Sequence, residues 1–409
     1  MSVYALLALL ITVTALLAWL NERFLRLPPA IGVMSSALFL SVVLVVAGSL
    51  GWGAERWAER LFQQVDFNAV LMQGMLSFLL FAGALHVDLN NLFRRKWSIL
   101  TLATVGVLIS TFLVGTAMHF LLRLLGLPLP YLWSLLFGAL IAPTDPIAVM
   151  STLKRVGAPK DLESMIIGES LFNDGVGVVV FTMVLGFAAG GRHLSAAGVA
   201  ALFLEEAVGG ALVGLILGYL VYRMLKSVDN YAVEVLLTLA LVAGGYALAG
   251  VLHTSGPIAM VVAGLFIGNH GRLFGMSDKT REHLDTFWEL VDEILNAMLF
   301  VMIGFELLVL ELRPAFLLAG ALAVPLVLGA RLASVGLPLA ALRRVRSFPP
   351  RTVRLMTWGG VRGGISIALA LSLPPSPQQD LILVTTYVVV VFSILVQGLT
   401  LGRAVKALT

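Results

Sequence analysis

Residues 131–153 read Tyr131-Leu-Trp-Ser-Leu-Leu-Phe-Gly-Ala-Leu-Ile-Ala-Pro-Thr-Asp-Pro-Ile-Ala-Val-Met-Ser-Thr-Leu153. The run is almost wholly apolar and roughly 20 residues long, the length of a helix that crosses a ~30 Å hydrocarbon core. In its middle, Pro143 and Pro146 each remove a backbone donor and bare carbonyls. Irregular backbone at membrane depth is tolerated only where it lines a cavity or is buried in protein. The stretch is therefore read as a spanning helix broken around Thr144 and Asp145. Thr144 can offer a hydroxyl or a carbonyl to an ion. Asp145 is placed to cap the half-helix that Pro146 starts, its charge meeting the positive dipole end.

Working outward, the whole chain has the same character. Of its 409 residues 59% are hydrophobic and 12% charged, against about 45–50% and about 25% in soluble domains. A soluble enzyme is excluded, and the alternating ~10-residue segments of a β-barrel are absent. Hydropathy reads an all-α polytopic membrane protein with about 13 transmembrane helices. The first run, Val3 to Leu20, has no positive flank before it and is read as a span and not as a cleaved signal peptide. Cysteine is absent, which excludes disulfides, thiolate metal sites and a cysteine nucleophile. Short amphipathic surface segments are expected at 55–64 and 89–97.

The basic residues sit in small groups between the apolar runs, with no basic domain for nucleic acid. Alternate connections on one side carry 20 of the 27 Lys and Arg and the other side carries 5. The positive-inside rule then puts the amino terminus outside and the carboxyl terminus in the cytoplasm. A second interruption, Trp358-Gly-Gly-Val-Arg-Gly-Gly364, lies half a chain from the first. Two matched broken helices point to an inverted-repeat transporter with its site at the midplane.

Charge within a span costs about 2.5–3.5 kcal/mol on insertion scales, so each instance needs a reason. The sixth span contains Gly168-Glu-Ser-Leu-Phe-Asn-Asp-Gly-Val-Gly177. Ser170 and Asp174 are four apart and share a face, with Glu169 and Asn173 in the adjacent row. A carboxylate beside a hydroxyl makes an all-oxygen half-site suited to a hard cation. Arg331 and Arg362 are the intramembrane cations. Arg362, bare among glycines, can neutralise the carbonyl ends of broken helices, and Glu169 is paired with Arg331. Glu205 and Glu206 are expected to line a funnel, as are Asp292 and Glu293 unless these meet a dimer partner; Glu234 is expected in solvent.

Together, Thr144-Asp145-Pro146, Glu169-Ser170-(x)2-Asn173-Asp174 and Gly359-Gly360-(x)-Arg362-Gly363 resemble the signatures of the NhaP/NHE branch of the sodium/proton antiporters, in order and over essentially the whole chain. The resemblance implies two crossing broken helices, a homodimer, Asp174 as the carboxylate that binds cation or proton, Thr144 and Ser170 as ion ligands, and Asn173 as the residue that orders them. It also implies a scaffold of residues 1–93 and 191–312 around a moving core of 94–190 and 313–409. In one place the chain departs from its relatives. Many carry an acid before the glycine of the third span, where Leu80-Phe-Ala-Gly83 has Ala82.

The expected function is electroneutral exchange of cytoplasmic Na+ (or Li+) for external H+, by alternating access, in a bacterial inner membrane. Membrane lipid is the expected surround, and neither a cofactor nor nucleic acid is expected. The rivals are K+/H+ antiport on the same scaffold, an intramembrane aspartyl protease using Asp145 and Asp174, and a passive channel. The protease reading lacks its Tyr-Asp and Gly-x-Gly-Asp signatures, and the single-acid site disfavours a channel.

Overall fold

The computed structural model describes residues 3–49, 69–145, 160–188, 196–272, 278–343 and 351–408, together with 149, 153, 157, 348 and 349. Outside these lie the segment expected at 55–64, Pro146, and the loop cations Arg56, Arg60, Lys154, Arg155, Arg192, Arg344 and Arg346.

Long apolar runs without internal turn signals become helices because only a helix satisfies its own backbone away from water. Among the described residues eight helices are long and apolar enough to cross a membrane. In chain order the α-helices are α1 (Val3–Leu20), α2 (Pro29–Ser49), α3 (Leu76–Leu85), α4 (Leu89–Thr101), α5 (Val107–Leu124), α6 (Tyr131–Leu140), α7 (Lys160–Ala188) and α8 (Ala196–Leu225). They continue with α9 (Tyr231–Val251), α10 (Gly256–Phe266), α11 (Asp278–Glu306), α12 (Pro314–Leu342), α13 (Thr352–Trp358), α14 (Gly364–Leu371), α15 (Pro377–Phe392) and α16 (Gly398–Leu408). Side chains mark several starts by accepting from free backbone N–H groups: Asp88, Asn230, Ser255 and Ser376.

Two expectations are corrected. The piece at 89–97 is amphipathic and largely exposed as expected, but it does not stand alone. It begins one helical rod of 36 residues, Leu89–Leu124, because a wide turn at Leu102–Gly106 joins α4 to α5 without ending the helix. Glu234 is not in solvent. It is buried in the first turn of α9, where the positive end of the helix dipole favours a carboxylate.

The buried side chains form two apolar clusters. One gathers residues of α2, α5, α6, α7, α12, α14 and α15. The other gathers α3, α9 and α10. Helix α11 belongs to both, with Leu284 and Trp288 in the second and Met298 to Phe305 in the first.

Candidate functional site

The site is built where two helices stop short. Helix α6 ends at Leu140 and the chain runs non-helical through Asp145; α13 ends at Trp358 and the chain runs non-helical until α14 begins at Gly364. The two interruptions touch. The Asp145 backbone N–H donates to the Val361 carbonyl at 2.7 Å. A side chain at Gly363 would collide with the Asp145 carboxylate. The absence of a Cβ there lets the acid of one break lie against the amino-terminal end of α14.

Arg362 answers in the other direction. It is buried, and its Nη1 donates to the Ala142 carbonyl and, at 2.8 Å, to the Pro143 carbonyl. These are groups left bare where α6 ends, the negative end of that helix. The Arg362 backbone N–H donates to Ser393 Oγ at 2.9 Å, and Ser393 in turn donates to Gln397, whose amide reaches the Trp358 carbonyl at 3.0 Å. Ser393–Gln397 is itself a wide turn between α15 and α16. Sequence reasoning missed this brace, and the only signal for it is two polar residues one turn apart in an otherwise apolar run.

The middle of α7 faces the first break. Thr144 Oγ1 and Ser170 Oγ are 2.9 Å apart. Asn173 holds Thr144 from both sides: its Nδ2 donates to Thr144 Oγ1 at 2.9 Å, and its Oδ1 accepts the Thr144 N–H at 3.2 Å. Asp174 follows directly, 6% exposed. Among the described residues no group hydrogen-bonds its carboxylate, and its charge is felt with those of Asp145 and Arg362. The structure thus brings Thr144, Ser170 and Asn173 into contact, with Asp174 the next residue along α7.

Glu169, on the next row of α7, turns away from that spot. Arg331 of α12 forks onto it, Nη1 to Oε1 and Nη2 to Oε2 at 2.8 Å, both side chains buried. Gly360 lets the Arg331 guanidinium approach, since a Cβ there would reach its Nε within 2.5 Å. Glu169 is thereby held in an ion pair, whereas Asp174 is in none among the described residues.

The sequence profile of the family described as sodium/hydrogen exchanger, transmembrane, matches residues 10–407. The chain belongs to the sodium/hydrogen exchanger family. It is 52% identical to the Na+/H+ antiporter NhaP of Pseudomonas aeruginosa, over 98% of this chain and 96% of that protein. It is 36% identical to the Na+/H+ antiporter NhaH of Halobacillus aidingensis, again over 98% and 96%. The solved structure of the sodium proton antiporter MjNhaP1 from Methanocaldococcus jannaschii at pH 8 superposes with a TM-score of 0.74 at 22% identity, covering 98% of this chain and 97% of that one.

In this exchanger Ala82 is fully buried on α3 and brings no charge. Glu205 is exposed, whereas Glu206 lies on the wall of a cavity of about 310 Å3 between α7, α8 and the Gly250–Pro257 turn. Val178 and Thr182 line the same cavity one and two turns beyond Asp174 along α7.

Proposed function

We propose that this multi-pass membrane exchanger is a secondary sodium/proton antiporter in which Na+ or Li+ and H+ compete for Asp174. The observation that carries the reading is the charge arrangement. Four of the five central ionic groups are met within the protein, Glu169 by Arg331, Arg362 by the carbonyls just past the end of α6 and Asp145 by the head of α14, while the fifth, Asp174, is buried and among the described residues has no ion-pair or hydrogen-bond partner. A buried unpaired carboxylate is strongly disfavoured, so the carrier crosses only with a cation or a proton aboard. The names of the relatives support sodium, and no observation favours K+ or peptide cleavage. The protein is a transporter and not an enzyme.

The finer architecture belongs to the same reading. Thirteen helices arranged as inverted repeats, with the amino terminus outside and the carboxyl terminus in the cytoplasm, are supported by the paired breaks and the 20-to-5 division of cations. A scaffold of 1–93 and 191–312 around a moving core of 94–190 and 313–409 is the division the family resemblance implies; the apolar clusters cross it, since α2 and part of α11 pack with α5, α6, α7 and α12 in one of them. Exposed apolar side chains along α1 and α8, such as Leu16, Trp19, Leu212 and Ile216, fit a lipid surround or a second copy in a homodimer. Proton flux in proteoliposomes driven by Na+, Li+ or K+ gradients tests the reading. Flux with Na+ or Li+ is expected, and flux with K+ alone would replace it with the potassium exchanger.

A further inference from the structure

Helices α13 and α16 lie side by side and run in opposite directions. At one end Arg351 Nη1 donates to the Ala407 carbonyl at 3.3 Å; at the other Trp358 Nε1 donates to Thr400 Oγ1 at 3.0 Å. This pairing sets Arg351 and Arg354 beside Arg403 and Lys406, all four of them exposed. A third segment joins them. The Arg95 guanidinium lies 5.9 Å from the ring centre of Phe348, three residues before Arg351. That contact brings the exposed Arg94 and Lys96 of α4 to the same surface.

Like charges held this close repel one another. These segments carry no counter-charge of their own: the sequence has no Asp or Glu between Asp88 and Asp145, between Glu311 and Asp380, or after Asp380. Glu163, near the start of the α7 helix that packs on both α4 and α13, is half-buried. One carboxylate does not balance six exposed cations, so the surface is completed by an anion from outside the chain.

The apolar neighbours say which anion. On α16 the exposed row runs Leu399, Arg403, Lys406, spaced four and three, with exposed Val396 just before it. On α4 exposed Phe93, Trp97 and Leu100 share a face, and exposed Leu108 and Phe112 follow along the same rod on α5. The Lys96 ammonium lies 5.7 Å from the Phe93 ring centre. Each row is apolar along the helix and cationic at one end, which is the order of a bilayer, tails and then headgroups. Tryptophan is favoured at that boundary, and long cationic side chains reach from it to the headgroups. A soluble polyanion would match the cations and leave the apolar rows unexplained.

We propose that the surface formed by the start of α4, α13 and the end of α16 binds the phosphate headgroups of anionic phospholipid in the leaflet at that face of the membrane. The proposal goes beyond the exchange reading and does not depend on which ions are carried.

The test uses the full chain in a neutral detergent and follows its melting temperature as phosphatidylglycerol or phosphatidylcholine is added. Phosphatidylglycerol is expected to raise the melting temperature, and phosphatidylcholine and inorganic phosphate are not. Neutralising Arg354, Arg403 and Lys406 together (Arg354→Gln, Arg403→Gln, Lys406→Gln) is expected to raise the half-stabilising phosphatidylglycerol concentration roughly a hundredfold, about fivefold for each cation. Lys406→Gln alone, at an exposed position near the chain end, supplies the fivefold step if the triple variant does not fold. Arg223→Gln with Lys226→Gln, which removes two exposed cations at the end of α8, is expected to leave the wild-type value. Equal stabilisation by the two lipids, or a wild-type half-stabilising concentration in the triple variant and in Lys406→Gln, would overturn the proposal. An equal loss in the Arg223 and Lys226 variant would mean general attraction of cations to the membrane, and an equal shift with inorganic phosphate would mean a site for free anions; either would overturn it as well.

Discussion

At 141–145 the chain is opened by proline and contributes an acid; at 359–363 it is opened by glycine and contributes a cation. The materials differ because the tasks do. Proline removes donors, so the first break ends in bare carbonyls that need a positive partner. Glycine adds no side chain, so the second break lets charged groups lie against its backbone: the Asp145 carboxylate at Gly363 and the Arg331 guanidinium at Gly360. Each break therefore neutralises the other's helix end, Arg362 at the end of α6 and Asp145 at the start of α14. The helix ends carry roughly half a charge each, so neither full charge is left for the transported ion. The lesson is that most ionic groups at the centre already meet partners within the protein, so their number says little about how many exchange.

The largest effect should come from removing the group the comparison leaves over. Asp174→Asn keeps shape and deletes the charge, so Na+-driven proton flux should vanish while the protein remains folded and inserted. Substantial residual flux would shift the exchanging role to Asp145 and break the distinction between structural and working acids.

Next come the paired charges. Glu169→Gln or Arg331→Gln strands a buried partner, at a cost of about 3–5 kcal/mol, and the melting temperature in detergent should drop clearly for both. Arg362→Gln loses charge-assisted bonds to two carbonyls but strands no carboxylate of its own, so its drop should be smaller. A wild-type melting temperature for both members of the Glu169–Arg331 pair would remove that pair from the scheme.

A smaller change tests the glycine break alone. Gly363→Ala places a methyl group where the Asp145 carboxylate lies, an overpacking defect of about 1–3 kcal/mol. Gly83→Ala meets nothing within 4 Å and should be neutral or slightly stabilising. Equal melting temperatures for the two variants would mean that the close approach at Gly363 does not matter.

The parts of this arrangement legible in the sequence are those that local chemistry fixes. The prolines and glycines mark the breaks, and the four-residue spacing of Ser170 and Asp174 puts both on one face. What was hidden is long-range. Arg362 meets carbonyls some 220 positions earlier in the chain, and nothing near it says which helix end it serves. The Ser393–Gln397 brace reads locally as an ordinary break in an apolar run. Glu234 reads as solvated because a carboxylate near a helix start is ordinarily in water, and only the packing of other helices over that turn buries it.

The smallest expected effect is none at all, and it follows from adding the central charges. Glu169 with Arg331 sums to zero, Asp145 with Arg362 sums to zero, and Asp174 leaves one negative charge. One Na+ or one H+ brings that total to zero, so the loaded core carries the same charge in both directions. Position 173 is Asn, which offers an amide to Thr144 and no second titrating group. Exchange should therefore be one cation for one proton, indifferent to membrane potential. Na+-driven proton flux is measured in proteoliposomes clamped at potentials of either sign with valinomycin and K+, after K+ itself has been shown not to be carried. Equal rates and an equilibrium set only by the two ion gradients are expected. An equilibrium that moves with the potential would require a second proton per cycle. Asp145 would then be the group to examine, as the other carboxylate at the two breaks.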